Sequence, residues 1–472
     1  MNIDGLDIDS TIKEVELALK NEKDLSPSLR TVMSMLVLMV KLLTNRVNKN
    51  SSNSSKPPSS DPNRLKSTRA KTDKNAGGQK GHKGSTLKQI DEPDEVEKIK
   101  LDKRTLPKGK TYKEVGFEKR QVFDIYVSRL VTEYQAQVLE DDSGKRYVAP
   151  FPEGVSKAVQ YGNTLKAHAV YMSQYQLLPY KRIEEYFKQQ LHIPISQGSV
   201  YNFNKEAYEK LGQFDGLVKE ALAKASLMHV DETGVNVAGK RHWLHCASNQ
   251  FFTSFMTHEK RGSEAMDSMN IIPRFEGVLC HDHWKAYYRY ENCLHSLCNA
   301  HHLRELTFAH EQDKQNWAGK MKVWLEKANK AVNQDGGELN QEKAKQFWLE
   351  YRKLLSEAEI ECPPPDEKER NGKRGRLKRS KSRNLLERLI KYDEDTLRFM
   401  ENAEVPFTNN QGERDIRMTK VQQKISGAFR SLDGAKMFCR IRGYLSTCKK
   451  QGVTSGYAME LLFKGKLPDF IS

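Results

Sequence analysis

The apolar positions change period along the chain, and each change predicts a different element. Between Ser26 and Lys49 they fall at Leu29, Val32, Leu36, Met39 and Leu43, three and four apart in alternation. That is an a/d seam. It predicts a helix that pairs with another helix or with a second copy of itself; packing on its own domain is the alternative. From Tyr112 to Pro152 the pattern alternates in places, as in Gln121-Val122-Phe123-Asp124-Ile125-Tyr126-Val127. With a turn at Asp142-Ser143-Gly144-Lys145, it predicts a small antiparallel sheet. The period then lengthens. Thr164 to Gln176 and Tyr180 to Leu191 read as helices, and Ser196 caps a third that runs through Tyr208. Helix, turn, capped helix fits a helix-turn-helix offering Ser199 and Tyr201 to DNA, and it fits a plain packing module equally.

A second stretch alternates strands with helices. Leu227 to Asp231, Arg241 to Ser248 and Phe251 to Thr257 read as three adjacent antiparallel strands. Gly262 to Asn270 is helical, and Gly277 to Asp282 is a buried strand ending in an acid. A helix is expected next, then a strand over His295 to His301 and a helix from Leu303. A three-strand meander followed by alternating helix and strand is the order of a ribonuclease H-like core. Asp231 and Asp282 both fall at strand ends, where function collects in open α/β sheets.

Two carboxylates on neighbouring strands can hold hard divalent cations, and a third completes a clamp on a transferring phosphate. The best third candidate is Glu413, in the first turn of a helix that Asn409 or Asn410 can cap. Glu232 could replace Asp231, although strand alternation would point the two to opposite faces. Beyond Glu413 stand Arg414, Arg417, Lys420, Lys424, Arg430, Lys436, Arg440 and Arg442, a density of bases that suits a DNA backbone.

Composition supports a polyanion partner. Among 472 residues, 78 Lys and Arg face 62 Asp and Glu, a net charge of +16. Arg46 to Lys88 carries eleven bases, two acids and no aromatic residue, so it reads as a flexible basic linker. The longest apolar run, Val32 to Val40, is interrupted by Ser34 and falls short of the roughly 18 residues of a membrane span. Asp4, Asp7 and Asp9 stand where a secretory signal would be basic. The seven cysteines, all at or after Cys246, form no disulfide framework, which points to a reducing cytoplasm.

Four motif blocks together resemble transposases of the insertion sequence 66 family. They are His229-Val230-Asp231-Glu232-Thr233-Gly234; His281-Asp282-His283-Trp284-Lys285-Ala286-Tyr287; Cys298-Asn299-Ala300-His301-His302-Leu303-Arg304-Glu305-Leu306; and Thr408 to Arg417 running into Lys424-Ile425-Ser426-Gly427-Ala428-Phe429-Arg430-Ser431. The words Asn53 to Asp61 and Gly77 to His82, and the zipper-like segment, match as well. The resemblance covers nearly the whole chain. It implies an Asp-Asp-Glu triad on a ribonuclease H-like fold, falling on Asp231, Asp282 and Glu413, with two Mg²⁺ or Mn²⁺ ions as cofactors. It also implies double-stranded DNA as partner, both element ends and target. A dimer or higher oligomer is expected, with no membrane partner and a cytoplasmic, nucleoid-associated location.

The 131 positions between Asp282 and Glu413 imply a helical insertion. Trp317 to Val332, Glu342 to Ile360 and Leu385 to Asn402 read as its helices, with a basic loop, Lys368 to Arg383, of nine bases and one acid. That loop contacts DNA or is merely solvated. Family members often carry a cysteine-rich zinc module after the Gly-Gly-Gln word, but residues 85–155 contain no cysteine, so no zinc is expected there. Cys293, His295, Cys298 and His301 have zinc-compatible spacing on a poorly convergent strand and helix, and no zinc is expected there either. His301 is then a group beside the carboxylates or a core histidine.

The expected organisation is a helical zipper (1–50), a basic linker (51–110), a small β module (111–155) and a helix-turn-helix-like region (156–225). A catalytic core (226–306 and 401–472, the latter ending in basic helices) is interrupted by the insertion (307–400). The function expected is metal-dependent cleavage and strand transfer at the ends of an insertion sequence. A nuclease or resolvase on the same fold, and a non-catalytic DNA-binding accessory protein, are the alternatives.

Overall fold

A computed structural model describes residues 2–3, 6–22, 24–47, 87–366, 377 and 379–471. Most of the basic linker and most of the basic loop of the insertion lie outside the described residues. The chain divides into two compact units, residues 66–132 and the remainder.

In the larger unit, the short strands β1 (Asn2–Ile3) and β2 (Leu6–Asp7) pair ahead of α1 (Ile8–Asn21). Helix α2 (Pro27–Val47) covers the predicted zipper. It folds back on α1, which the sequence reading lacked, with Lys41 Nζ 2.5 Å from Glu16 Oε1. The a/d residues stay open: Leu29, Val32, Leu36, Met39 and Leu43 are 48–61% exposed. The expectation that this segment is too short for a membrane needs correcting. The window Pro27–Thr44 has mean hydropathy 1.4 and passes by length and composition as a span. Only Arg30 and Lys41 interrupt it with charge, so the average stays high although each unbroken apolar run is short.

The smaller unit, described over residues 87–132, holds one 3₁₀ turn, Lys103–Thr105. The strand predicted over residues 121–127 does not form. Val122, Ile125 and Tyr126 are 85–93% exposed, and an alternating pattern makes a strand only where a partner receives one face. The antiparallel pairing that does form is a hairpin in the larger unit, β3 (Val138–Glu140) with β4 (Arg146–Val148). It turns through Gly144 at φ +80°, a conformation that favours glycine.

Helix α3 (Asn163–Val170) widens into a π turn over Tyr171–Tyr175, and α4 (Tyr180–Leu191), α5 (Gln197–Lys210) and α6 (Gly212–Ala223) follow. Ser196 caps α5 as expected, its Oγ accepting the Ser199 N–H at 3.1 Å. A five-stranded sheet comes next, in the order β7 (Thr253–His258), β6 (Lys240–Ser248), β5 (Leu227–Val237), β8 (Val278–His281), β9 (Leu294–Leu297). The first three strands are antiparallel; β5, β8 and β9 are parallel. Helix α7 (Ser263–Met269) links β7 to β8. Gly277 admits the chain into β8, because a Cβ there would lie 2.4 Å from the Ser226 carbonyl oxygen. The helix expected after Asp282 is only a 3₁₀ turn, Tyr287–Arg289.

Helix α8 (Asn299–Glu311) leads into the insertion, α9 (Asn316–Gln334), α10 (Gln341–Glu361), α11 (Lys381–Lys391) and α12 (Asp393–Leu397). These helices bury their own core around Trp317, Trp324, Tyr351 and Leu386. Helices α13 (Asn410–Ser426), α14 (Leu432–Lys450) and α15 (Ser455–Phe463) return to the sheet. One continuous core joins α3–α6 to β5, β8, α14 and α15, through Ile183, Phe214, Met228, Leu279 and Tyr444. On the other face, Val235, Val237 and Leu244 pack with Ile416 and Phe438.

Candidate active site

Register brings the two aspartates level. In the parallel pair β5–β8, Leu227 stands opposite Val278 and His229 opposite Cys280. Carried two residues further, the same offset sets Asp231 opposite Asp282. Adjacent strands lie about 4.8 Å apart. Asp282 leaves the strand in a tight turn, its Oδ1 accepting the Trp284 N–H at 3.1 Å, and His283 takes the left-handed region at φ +69°.

Strand alternation separates Asp231 from Glu232. Odd positions of β5 face α13: His229 meets Asn409, and Val235 packs with Ile416. Glu232 faces the other way. Its buried carboxylate accepts from Arg261 Nε at 2.8 Å and from Tyr287 Oη at 2.5 Å. Arg261 lies over the Trp284 ring at 4.2 Å, so the group is held from two sides.

The third carboxylate is brought in by α13. Asn409 takes the cap position of this helix, but its side chain caps nothing. Instead Asn409 Nδ2 donates to the Val230 carbonyl at 2.8 Å, and Oδ1 lies 2.8 Å from His229 Nδ1. The Asn409 N–H points at Cys298 Sγ, 3.1 Å away. Gly412 leaves room for this, since a Cβ there would lie 3.2 Å from Asn409 Oδ1. One turn on, Glu413 Oε1 lies 3.4 Å from His301 Nε2.

The electrostatics follow from this convergence. Burial, Glu232, Asp282 and Glu413 together push Asp231 up to about 8. Glu413 is held below the usual range, first by His301, then by Arg304 and Arg417, against its partial burial. Asp231 thus sits among acids, while Glu413 sits at the basic edge of the same cluster. Oxygen donors that repel one another in this way fit a hard divalent cation, which supplies the missing positive charge.

The residues expected to meet DNA divide between surface and core. Arg414, Arg417, Lys424 and Arg430 are exposed on or just beyond α13, and exposed Lys420 also donates to the Gly234 carbonyl at 3.2 Å. Ser199 takes part in the α5 cap, and Tyr201 packs partly into the core. Arg440 and Arg442 do not belong with the solvent-facing bases. Arg440 stacks on Tyr208 at 3.8 Å, and Arg442 donates to the carbonyls of Gln174 and Tyr175. Both anchor α14 to the helical region. The Cys293–His301 set also divides. Cys293 Sγ donates to Tyr290, and His295 bridges His281 and Tyr290, while Cys298 and His301 turn toward Glu413.

Sequence reasoning missed the Asn409–His229 link and the Lys450–Asp415 pair (2.7 Å) that braces α13 against α14. The presence of His229 and Asn409 within the quoted motif blocks was the one available signal.

The fold and site define an α/β protein that gathers carboxylates where β8 ends beside the middle of β5, next to an exposed basic helix. Residues 158–437 match the family model described as "Transposase IS66 family", and the chain belongs to that family. Residues 9–88 match a second model, a family of unknown function (DUF6444). Among curated proteins, "Uncharacterized protein y4jO" of Sinorhizobium fredii (strain NBRC 101917 / NGR234) is 34% identical over 70 residues. That match covers 15% of this chain and 22% of the relative's length.

Proposed function

We propose that the chain is an Asp-Asp-Glu transposase that cleaves DNA at the ends of an insertion sequence and joins the freed end to target DNA. The reading carries a ribonuclease H-like assignment for the sheet and its flanking helices. It makes Asp231, Asp282 and Glu413 the ligands of two Mg²⁺ or Mn²⁺ ions. The observation that supports it best is geometric: the β5–β8 register sets Asp231 opposite Asp282, and the Asn409 bond to the Val230 carbonyl brings the turn of α13 that bears Glu413 to the same strand. When bound, the cations supply an activated water and neutralise charge on the scissile phosphate.

The chain's own residues do the positioning. Asn409 fixes the start of α13 on β5, and His301 orients the Glu413 carboxylate. Arg414, Arg417, Lys420, Lys424 and Arg430 offer cations to the DNA backbone. Arg261 and Tyr287 hold Glu232 away from the Asp231 face. The open a/d face of α2 suits pairing with a second copy, as bringing two element ends together requires.

Supercoiled or linear DNA carrying the element ends, incubated with protein and Mg²⁺, tests the reading. Asp231→Asn and Glu413→Gln should lose cleavage and keep DNA binding. Cleavage without joined product would favour a nuclease or resolvase. Binding without cleavage by the unaltered chain would favour an accessory role.

A further inference from the structure

We propose that Cys298, His301 and Glu413 form a site for one thiophilic divalent cation of the Zn²⁺ class, distinct from the Asp231–Asp282 pair. One ligand atom from each residue lies within 4.8 Å of the other two. The His301 Nε2 to Glu413 Oε1 separation is 3.4 Å. A tetrahedron with metal–ligand bonds of about 2.0–2.1 Å has an edge of roughly 3.3–3.4 Å, so that pair already spans one.

The sulfur is within reach of the other two ligands. Cys298 stands at the N-cap of α8 and is buried, and the Asn409 N–H points at its Sγ at 3.1 Å. Burial, with Glu413 beside it, pushes the thiol up, so the cation's own charge must displace the proton to make the thiolate that binds metal. His301 and Glu413 are 22% and 30% exposed, which leaves an open side for entry and for a water as fourth ligand. A Cys-His-carboxylate set is soft at one corner, unlike the all-oxygen Asp231–Asp282 pair, and thiolate ligands select Zn²⁺ over Mg²⁺. Binding converts the thiol to a metal-bound thiolate and releases its proton to solvent.

The cation takes Glu413, so its effect on cleavage, but not its binding, rests on the transposase reading. Cobalt(II) is the probe, titrated into the metal-stripped full chain in excess Mg²⁺, with far-UV circular dichroism confirming the fold. The expected result is one equivalent bound, with a thiolate-to-cobalt charge-transfer band that Zn²⁺ abolishes. Cys298→Ser should lose the band, and His301→Gln should weaken binding at least about tenfold. Cys293→Ser and Asp231→Asn should keep it. A folded chain with no band, or a band that survives Cys298→Ser, overturns the site; should Cys298→Ser not fold, undiminished binding by His301→Gln overturns it. Zn²⁺ that binds stoichiometrically yet leaves Mg²⁺-dependent cleavage untouched would preserve the site and sink the catalytic role of Glu413.

Discussion

Asn409 and His229 meet across 180 residues of sequence, Oδ1 to Nδ1 at 2.8 Å. Asn409 Nδ2 donates to the Val230 carbonyl, so Oδ1 is the acceptor and His229 carries its proton on Nδ1. Burial keeps that imidazole neutral, against the pull of Asn409. The pair pins the first turn of α13 to the strand that bears Asp231, and so sets where Glu413 sits.

Asn409→Ala should therefore act at a distance. It leaves the His229 N–H and the Val230 carbonyl buried without partners, at a cost of roughly 2–4 kcal/mol. A small displacement of Glu413 should also lower cleavage by about 10²-fold. Gly412→Ala is the subtler probe. In an open helix the change would gain up to about 1 kcal/mol; here the methyl meets the Asn409 side chain, so a lower Tm is expected. Thermal melts and cleavage rates check both, and a Gly412→Ala chain that melts higher would contradict the packing described.

Asp231 predicts a gain in stability from the same substitution that, on the proposed function, should lose cleavage. Its carboxyl stands at about 8 in the fold, against an ordinary 3.8. The folded state thus holds the extra proton, and stability is lost as pH rises from about 4 through 8. Asp231→Asn removes that cost and keeps an acceptor for the Glu232 N–H. At pH 8 with chelator, the variant should be more stable by on the order of 2–4 kcal/mol. The advantage should shrink toward pH 4 and also on adding Mg²⁺. Equal melting temperatures at pH 8 would show that neither burial nor the neighbouring acids hold the Asp231 carboxyl up.

The sheet and the positions of the three acids were legible because local rules govern them. The apolar run ending in Asp282 became β8, while the run ending in Asp231 became only the first half of β5, which continues to Val237 along β6, and the turn after Thr408 placed Glu413 in a first helical turn. Ser196 announced α5 by its own side chain. What failed depended on distant partners. The alternation at residues 121–127 carries no sign that a receiving strand is missing. Arg440 and Arg442 look like Lys436 in sequence, yet Tyr208 and Tyr175 claim them. Asn409 resembles a cap, and only the fold shows that β5 takes its side chain.

Lys450 and Asp415 should respond unequally to substitution. Lys450 Nζ donates to Asp415 Oδ2 at 2.7 Å and to the carbonyls of Asn249 and Phe252 at 2.8 and 3.2 Å. The side chains are 13% and 8% exposed. Lys450→Met leaves a buried carboxylate that accepts from Gln411 Nε2 at 2.9 Å but has lost its ammonium, at a cost of about 3–5 kcal/mol. Asp415→Asn leaves the ammonium three oxygens and should cost less. The double variant should cost less than the sum of the two. Urea unfolding of the three variants decides it, and Asp415→Asn proving the more damaging would refute the asymmetry.

His245 should make the fold acid-sensitive, in the direction opposite to Asp231. Burial holds its imidazole down to about 4, against an ordinary 6.5, with Nε2 donating to the Lys260 carbonyl. The unfolded chain therefore binds the extra proton first. Stability is complete above about 6.5 and is lost as pH falls toward 4, by about 2 kcal/mol at pH 5. His229, His281 and His302 are shifted the same way by burial and add to the effect. Asp231 gains stability over part of that window, so the measurement belongs in the Asp231→Asn background. There, denaturant unfolding between pH 7.5 and 4.5 should show stability falling with pH. His245→Gln keeps a donor for Lys260 and should flatten the slope by close to one proton. An unchanged slope would mean that His245 is already charged in the folded chain.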